Sequence, residues 1–466
     1  MKSRMLSLLL AALLLLSGCA GGTAALPAEP SLTATALPSP SLTPEPTPEP
    51  TAEPTPAPTA VPVMQPETEP CAATGGAAPY LLSGSDDSTV RVCWTGSPGR
   101  DVCVLYGIAG EDGALPDKPS AAEAVESRLP ESAFSVHRSL YTAELSVAPG
   151  TRYAYGISEN DAAPDTVYHF RTNEADRLSA VAVSDTHLYF NQQHPALLEA
   201  TLETALGAAA ENGEALDMII HTGDIMEQPH FSLDALTQNV SMLRSFLLTP
   251  VAGNHDSLDA VRRFFPMENS DKTTGDYWFV RGGVMFVGIE IGFRYFTHHA
   301  DYLRQVLEEA PEHNWTVVLI HYSLRSNGSH AIDGPVLNFR YFLEPVMDEL
   351  DVDLVIAGHD HEYNRTVLLG SGAPEQPEGG AGGGVVYKKP GERIYITLPS
   401  GTGLKYYDSG RDVDFAFAAE GLDHEPGYVL FDFTPEEITL SARSAETGEE
   451  IDAVTLRRSE TAEQEE

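Results

Sequence analysis

The sequence predicts an α/β domain that follows a small all-β domain. Over residues 176–456, apolar strand-like runs alternate with amphipathic helical periodicity, which is the α/β signature. Over residues 73–174, short β-rich runs are separated by turn-forming clusters such as Gly96-Ser97-Pro98-Gly99. The 466 residues are 42% hydrophobic and 21% charged, as in ordinary globular proteins, so a wholly disordered chain is excluded.

The α/β region divides into predicted strands and helices whose order suggests where a site lies. Strands are predicted at 178–183, 216–221, 249–252, 315–320 and 353–357, and helices at 195–212, 233–248, 299–309 and 337–350. Nearly every one of these strands ends on a polar cluster. Because ligands in open α/β sheets bind beyond the carboxyl ends of strands, we expect the polar clusters to converge in space.

The all-β region is expected to form an antiparallel sandwich that packs or spaces and carries no chemistry. Its segments 148–156 and 168–172 resemble the last strands of a fibronectin type III domain. Cys71, Cys93 and Cys103 allow three disulfide pairings with one thiol left over. Cys93 and Cys103 would face each other in a hairpin, whereas a fibronectin-like topology would place their strands in different sheets.

The N-terminus has the features of a targeting segment. Lys2 and Arg4 precede an apolar run at 6–16 that is too short to span a bilayer stably, and Leu16-Ser17-Gly18-Cys19 follows. This segment resembles a bacterial lipoprotein signal. The resemblance implies that residues 1–19 are a signal peptide with its lipobox and that acylated Cys19 anchors the chain to the outer side of a bacterial membrane. A plain secretory signal and an uncleaved apolar helix are the alternatives.

The segment that follows, residues 20–72, is rich in Pro, Thr and Glu and cannot bury a core. Proline fixes φ and favours polyproline II, so we expect a semi-rigid stalk that carries the folded part away from a cell envelope. At the other end of the chain, residues 457–466 form a polar tail. The expected location is therefore the cell surface.

The net charge limits the possible partners. The chain has 28 basic and 68 acidic side chains, a formal charge of −40 at pH 7. So much negative charge repels polyanions, so no nucleic-acid partner is expected. No obligate protein partner is indicated by the sequence.

Five polar clusters, each placed at the end of a predicted strand, carry residue types that bind metals. In chain order they are Asp185-Thr186-His187, Gly223-Asp224, Gly253-Asn254-His255-Asp256, His321, and Gly358-His359-Asp360-His361. Carboxylate, imidazole and amide oxygen together suit first-row divalent or trivalent metals, and the absence of cysteine argues against a structural zinc cluster. The sequence therefore predicts a metal site.

These clusters resemble the motifs of the calcineurin-like metallophosphoesterases over residues 178–404, and with the preceding sandwich the chain resembles the purple acid phosphatases. The resemblance implies a calcineurin-like β-sandwich flanked by helices and two metal ions, with Fe, Mn and Zn all possible. It places Asp185, His187, Asp224 and His361 around the first ion, and Asp224, Asn254, His321 and His359 around the second, so that Asp224 bridges the two ions.

The resemblance also implies a reaction, the hydrolysis of a small phosphorylated substrate by a metal-bridging hydroxide. His255 is the candidate for phosphate contact and leaving-group protonation, with Asp256 holding its ring, and His330 is the candidate for reaching the substrate. We expect a phosphomonoesterase of the acid phosphatase type. The alternatives are a phosphodiesterase of the same fold and a non-catalytic surface binding module with a structural metal.

Two positions depart from the purple enzymes. Their tyrosine, three residues after the bridging aspartate, is Glu227 here, and His187 stands where they carry glycine. The expectation is that an imidazole ligand replaces the phenolate, which leaves the metal identity open. Among the other histidines, His221 is predicted to be a satisfied core residue. The rest are expected at the surface, with His230 close enough to line a pocket: His194, His230, His298, His299 and His424.

Overall fold

The computed structural model describes residues 78–129, 138–189, 193–228, 233–291, 295–370 and 384–459. All of them belong to one compact unit, residues 59–466. The predicted signal peptide with Cys19, the stalk, Cys71, His230 and most of the polar tail lie outside the described residues. Within the described ranges no helix has both the length and the apolar character needed to cross a membrane.

The described residues form strands and helices in the following order. The first part of the chain contains β1 (Tyr80–Ser83), β2 (Thr89–Gly96), β3 (Val102–Ile108), β4 (Ser120–Glu123), β5 (Val125–Arg128), β6 (Ser139–Ser146), β7 (Arg152–Glu159) and β8 (Tyr168–Arg171). The middle contains β9 (Leu178–Val183), α1 (Gln193–Glu211), β10 (Met218–His221), α2 (Asp234–Asn239), a 3-10 helix (Ser241–Arg244), β11 (Leu247–Pro250), α3 (Leu258–Phe264), β12 (Tyr277–Arg281), β13 (Val284–Ile289), α4 (Phe296–Glu309), β14 (Trp315–Ile320) and α5 (Gly334–Glu349). The last part contains β15 (Leu354–Ala357), β16 (Tyr363–Thr366), β17 (Gly384–Lys388), β18 (Ile394–Thr397), β19 (Phe417–Gly421), β20 (Gly427–Phe433), β21 (Glu437–Ser444) and β22 (Glu450–Arg458).

Two sheets of the α/β part position the candidate site. One sheet has the order β17-β22-β21-β20-β9-β10-β11-β1-β2-β6-β5, and the other has the order β12-β13-β14-β15-β18-β16-β19. Strands β9, β10 and β11 are parallel neighbours, as are β13, β14, β15 and β18. The apolar residues of these strands are buried. The polar clusters lie on the loops that leave the carboxyl ends of the strands.

The N-terminal strands are continuous with the large sheet. Strand β1 pairs antiparallel with β2 on one side and parallel with β11 on the other, with Leu81 opposite Leu247. Strands β4, β3, β7 and β8 form a separate four-stranded sheet. The fully buried guanidinium of Arg281 donates hydrogen bonds to Ser83 and Asn173. The sheet therefore continues across the boundary predicted at residues 174–176.

The two described cysteines are free and lie in different sheets. Cys93 on β2 is opposite Tyr80 and Thr142, whereas Cys103 on β3 is opposite Glu123 and Ser158. The hairpin alternative for Cys93 and Cys103 is therefore wrong, because β2 and β3 never pair with each other. The alternative that separates the two strands agrees with the structure.

The helix predicted at 233–248 is wrong over most of its length. It contains α2, then Val240 with an extended backbone, then the 3-10 helix and the first residues of β11. Leu247 and Leu248 pair with both β1 and β10, so sheet pairing overrides the helical spacing of the apolar residues. Strand β11 consequently covers Leu247–Pro250, two residues earlier than the strand predicted at 249–252.

Candidate metal centre

The predicted ligands all follow strands of the two sheets. Asp185 and His187 follow β9, Asp224 follows β10, Asn254 follows β11, His321 follows β14, and His359 and His361 follow β15. The loops are tied together by backbone hydrogen bonds, such as those from the Asp185 and His187 amides to the carbonyls of Gly223 and Asp224. Residues distant in sequence are thus brought to one edge.

The first predicted ligand group is assembled in the structure. One ligand atom from each of Asp185, His187, Asp224 and His361 lies within 4.8 Å of the others, and all four residues are buried. His187 Nε2 is 3.1 Å from His361 Nε2, and the latter is 3.2 Å from Asp185 Oδ1. These donors face a common point, as the ligands of a bound cation do.

The second predicted group lies on the other side of Asp224. His321 Nε2 is 3.0 Å from Asn254 Oδ1 and 3.5 Å from Asp224 Oδ1, and the His359 ring lies 5.0 Å from the His321 ring. The other carboxylate oxygen, Asp224 Oδ2, is 3.6 Å from His187 Nε2. One oxygen of Asp224 therefore faces each group.

The hydrogen bonds of two histidines fix which ring nitrogen faces the cluster. His321 Nδ1 is 2.9 Å from the Thr222 carbonyl and His361 Nδ1 is 2.8 Å from the Lys405 carbonyl. A carbonyl only accepts, so both Nδ1 atoms donate, and in the neutral rings both Nε2 atoms turn a lone pair towards the carboxylates. Asp185 Oδ1 is buried and accepts no hydrogen bond among the described residues. A bound cation would stabilise lone pairs of imidazole nitrogens and carboxylate oxygens that face each other. This set of ligand atoms fits divalent or trivalent metals.

Burial sets the charges of the cluster. It lowers the pKa of His187 to about 2 and, together with His321, holds the pKa of His359 well below its usual value. Burial and the charge of Asp185 raise the pKa of Asp224 to about 7. Neutral imidazole is the form that binds metals, and burial keeps His187 and His359 in that form, whereas Asp185 outweighs burial at His361 and raises the pKa of that ring.

The backbone at five of the predicted ligands is in the left-handed region. The φ angles are +50° at Asp185, +44° at His187, +51° at Asp224, +77° at His359 and +59° at His361. Each such residue costs on the order of 1–3 kcal/mol, and such conformations cluster at functional sites where the surrounding structure compensates for the strain. The backbone conformation that orients these five side chains therefore lowers the stability of the fold.

Two glycines allow the loops to pack directly against the ligands. A Cβ atom at Gly253 would lie 2.1 Å from Asp224 Oδ1, and one at Gly358 would lie 2.5 Å from Asp185 Oδ2. Both contacts are too short for any side chain. These positions require glycine because of the ligands beside them.

The predicted role of Asp256 is wrong. Asp256 is buried and accepts hydrogen bonds from the backbone amides of Gly253, Ile225 and Met226, so it joins two ligand loops. The ring of His255 is held by Glu227 instead, because His255 Nδ1 donates to the Glu227 carbonyl at 2.9 Å. Both carboxylate oxygens of neighbouring Asp256 accept from backbone amides instead.

His255 and His330 lie beside the two groups and are partly exposed. The His255 ring is 4.8 Å from the His187 ring, and its side chain is 25% exposed. The His330 ring is 4.6 Å from the His359 ring, its side chain is 26% exposed, and its Nδ1 lies 2.9 Å from Asp333. Asn254 is exposed as well. The cluster is therefore open on the side that these three residues share.

The sequence analysis missed two residues of this site. Lys405 Nζ lies 3.2 Å from His255 Nε2. The Tyr407 ring packs 4.4 Å from the His361 ring and 4.6 Å from the His330 ring. Both residues come from an irregular segment after β18, where no motif or periodicity marks them.

For two histidines away from the open side, one sequence prediction is confirmed and the other is wrong. His221 is a satisfied core residue, as predicted, because Nε2 contacts the Thr186 hydroxyl and Nδ1 accepts from the Gly223 amide. The surface assignment of His299 is wrong. Its ring is fully buried in α4, where Nδ1 lies 2.6 Å from the buried carboxylate of Asp276.

The Glu227 carboxylate also lies directly behind a candidate ligand, His187. Its Oε2 lies 2.7 Å from His187 Nδ1, while His187 Nε2 faces the first group. We expect Glu227→Gln to lower metal affinity and kcat/KM by about 10- to 100-fold, as loss of a carboxylate behind a ligating histidine does. Metal titration and steady-state kinetics measure this, with the exposed Glu203→Gln on α1 as control. Unchanged metal affinity in Glu227→Gln would contradict it.

Comparisons with known proteins agree with this geometry. Residues 178–363 match the family model for calcineurin-like phosphoesterases. A purple acid phosphatase, PPD1 from yellow lupin (Lupinus luteus) seeds, superposes with a TM-score of 0.68 at 18% identity, covering 82% of this chain and 74% of the lupin chain. The chain has the calcineurin-like metallophosphoesterase fold.

Other comparisons are weaker. GAP50, the anchor in the inner membrane complex of Plasmodium, matches with a TM-score of 0.43 at 15% identity, covering 60% of this chain and 89% of that chain. The sequence has no significant match among curated proteins. The metallophosphoesterase fold and the fold class predicted from the sequence are thus confirmed, whereas the fibronectin-like and lipoprotein resemblances remain predictions.

Proposed function

We propose that this protein is an exported, lipid-anchored phosphoesterase that hydrolyses phosphate monoesters at a pair of metal ions. The supporting observation is Asp224, whose two carboxylate oxygens face two separate groups of buried metal-binding side chains. The metallophosphoesterase fold places this carboxylate at the carboxyl edge of the sheets, where ligands bind.

The residues around the cluster divide into those that hold cations and those that meet a substrate. Asp185, His187, Asp224 and His361 would hold one ion, and Asp224, Asn254, His321 and His359 would hold the other. Bound there, two such ions supply the Lewis acidity that lowers the pKa of water and neutralises phosphoryl oxygens. Iron, manganese and zinc all suit this donor set.

The exposed side of the cluster supports an enzyme rather than a structural metal site. Structural sites are closed by protein ligands, whereas catalytic sites keep open positions. Here His255 and His330 are about a quarter exposed beside buried candidate ligands. His255 is oriented by the Glu227 carbonyl, so its Nε2 is presented at the open side, where the Nε2–H of the imidazolium form can donate to the phosphoryl group or the leaving oxygen.

Export and anchoring rest on the sequence. The positively charged start, the short apolar run and Leu16-Ser17-Gly18-Cys19 support a lipidated N-terminus, and the Pro-rich residues 20–72 support a stalk. Mass spectrometry of the mature N-terminus tests this part. An acylated Cys19 is expected, and a mature chain that begins elsewhere with a free amine would contradict it.

Activity is tested on chelator-treated protein reloaded with manganese, zinc or iron. We expect about two bound ions per chain and hydrolysis of p-nitrophenyl phosphate in preference to bis-p-nitrophenyl phosphate. Faster hydrolysis of the diester would select a phosphodiesterase instead. Tight metal binding with no hydrolysis of either compound under any metal would select a non-catalytic binding module.

A further inference from the structure

The segment after β18 places a lysine beside the open side of the metal centre. We propose that Lys405 binds the phosphoryl group of the substrate and selects phosphate monoester dianions over diesters. This inference rests on the proposed function, and it adds a substrate-binding residue that no sequence motif marks.

The backbone of Lys405 is fixed to the candidate ligands. Its carbonyl accepts the hydrogen bond from His361 Nδ1 at 2.8 Å. Two residues further along the chain, the Tyr407 ring packs against the rings of both His361 and His330. The backbone of Lys405 is therefore held in a fixed position relative to the metal centre. A substitution of the Lys405 side chain leaves its backbone contact to His361 in place.

The ammonium group has one N–H donor left for a ligand at the open side. His255 Nδ1 donates to the Glu227 carbonyl, so in the neutral ring His255 Nε2 accepts from Lys405 Nζ at 3.2 Å. The ammonium lies 5.2 Å from the centre of the Tyr407 ring. An ammonium has three N–H donors, of which His255 and the side chain of Tyr407 take two, and since Lys405 is only half-buried, one donor remains for an anion beside His255.

The local charge makes this lysine distinctive. Among the described residues, no other Lys or Arg side chain contacts the candidate ligands, His255 or His330, and the nearby charged groups Glu227, Asp333 and Asp360 are acidic. Without Lys405, only bound metal ions would offset a substrate's charge. A lysine acts on phosphate as a point charge.

The charge of the substrate connects this cation to specificity. At neutral pH a phosphate monoester carries up to two negative charges, because the second pKa of phosphate is about 6. A diester carries one. A fixed cation at the open side therefore stabilises the monoester more than the diester, in proportion to the extra charge.

The test compares Lys405→Met and Lys405→Arg with the exposed Lys118→Met as matched control, all in the metal-loaded full chain. For Lys405→Met we expect kcat/KM to fall about 10- to 100-fold for p-nitrophenyl phosphate and less than about threefold for bis-p-nitrophenyl phosphate. Lys405→Arg should retain most of the preference, and Lys118→Met should match the wild type. Calorimetric titration with orthophosphate should show weaker binding to Lys405→Met by a similar factor.

Two results would overturn the proposal: equal losses on both compounds with orthophosphate affinity unchanged, or no loss on either. Metal content and thermal unfolding of each variant separate a lost contact from a damaged fold. If the wild type hydrolyses neither compound, the proposed function fails, and the orthophosphate titration still decides whether Lys405 binds a phosphoryl anion.

Discussion

Asp224→Asn is expected to lower kcat/KM by about a thousandfold or more and to reduce the bound metal. The carboxylate is the only side chain with an atom facing each predicted ligand group, among the residues that the structure describes. An amide keeps the shape but offers one neutral oxygen, so it would deprive the two proposed cations of the one charged side chain that both groups share. Steady-state kinetics and elemental analysis measure the two effects together.

The matched control is Asp217→Asn, which removes another buried carboxylate outside the site. Asp217 accepts a hydrogen bond from the Ser179 amide at 2.9 Å, and an asparagine oxygen can do the same. We expect Asp217→Asn to keep its metal and its activity. If Asp224→Asn retains both full metal content and full turnover, the assignment of Asp224 as the bridge is refuted.

Gly253→Ala is expected to abolish activity although it adds only one methyl group. The added Cβ would lie 2.1 Å from both the amide nitrogen and Oδ1 of Asp224, and the backbone there is held by buried Asp256. Since neither partner is a flexible chain end, Asp224 must move. A displacement of about 1 Å at a reacting centre can cost about a hundredfold in rate, and a displaced bridging ligand costs metal as well.

Gly207→Ala provides the control for this steric argument. Gly207 lies on α1, and a Cβ there would contact nothing within 4 Å. Alanine in a helix interior is favoured over glycine by roughly 0.5–1 kcal/mol, so this variant should unfold at a slightly higher temperature with unchanged kcat/KM. Wild-type activity in Gly253→Ala would mean that the ligand loops are much looser than their contacts indicate.

Much of the fold was predictable because buried parallel strands produce continuous apolar runs. Residues 178–183 and 315–320 are strands with the predicted bounds, and both are buried throughout. The ligand groups were predictable for a related reason: polar residues directly after such strands have to gather at one sheet edge. The left-handed backbone of His359 and His361 was not predictable, since non-glycine residues seldom adopt it.

Other features depend on contacts between distant segments, which local pattern does not record. The amphipathic spacing of 233–248 suggested one helix, yet pairing of Leu247 with two strands decides otherwise. Asp256 is next to His255 in sequence but bonds to the backbone after β10. Lys405 meets His255 across 150 positions, in a segment without periodicity. The fold alone creates such neighbours.

The position of strand β1 determines how the fold would resist a pulling force applied at its N-terminal side. It is the first described strand after the N-terminal segments, and it is flanked by β2 and β11 inside the largest sheet. A tensile force applied ahead of Tyr80 would run along the strand and load the hydrogen bonds of both ladders simultaneously, in shear rather than one by one. If the proposed N-terminal anchor is present, traction on it would be resisted by the same sheet whose carboxyl ends carry Asp185 and Asp224.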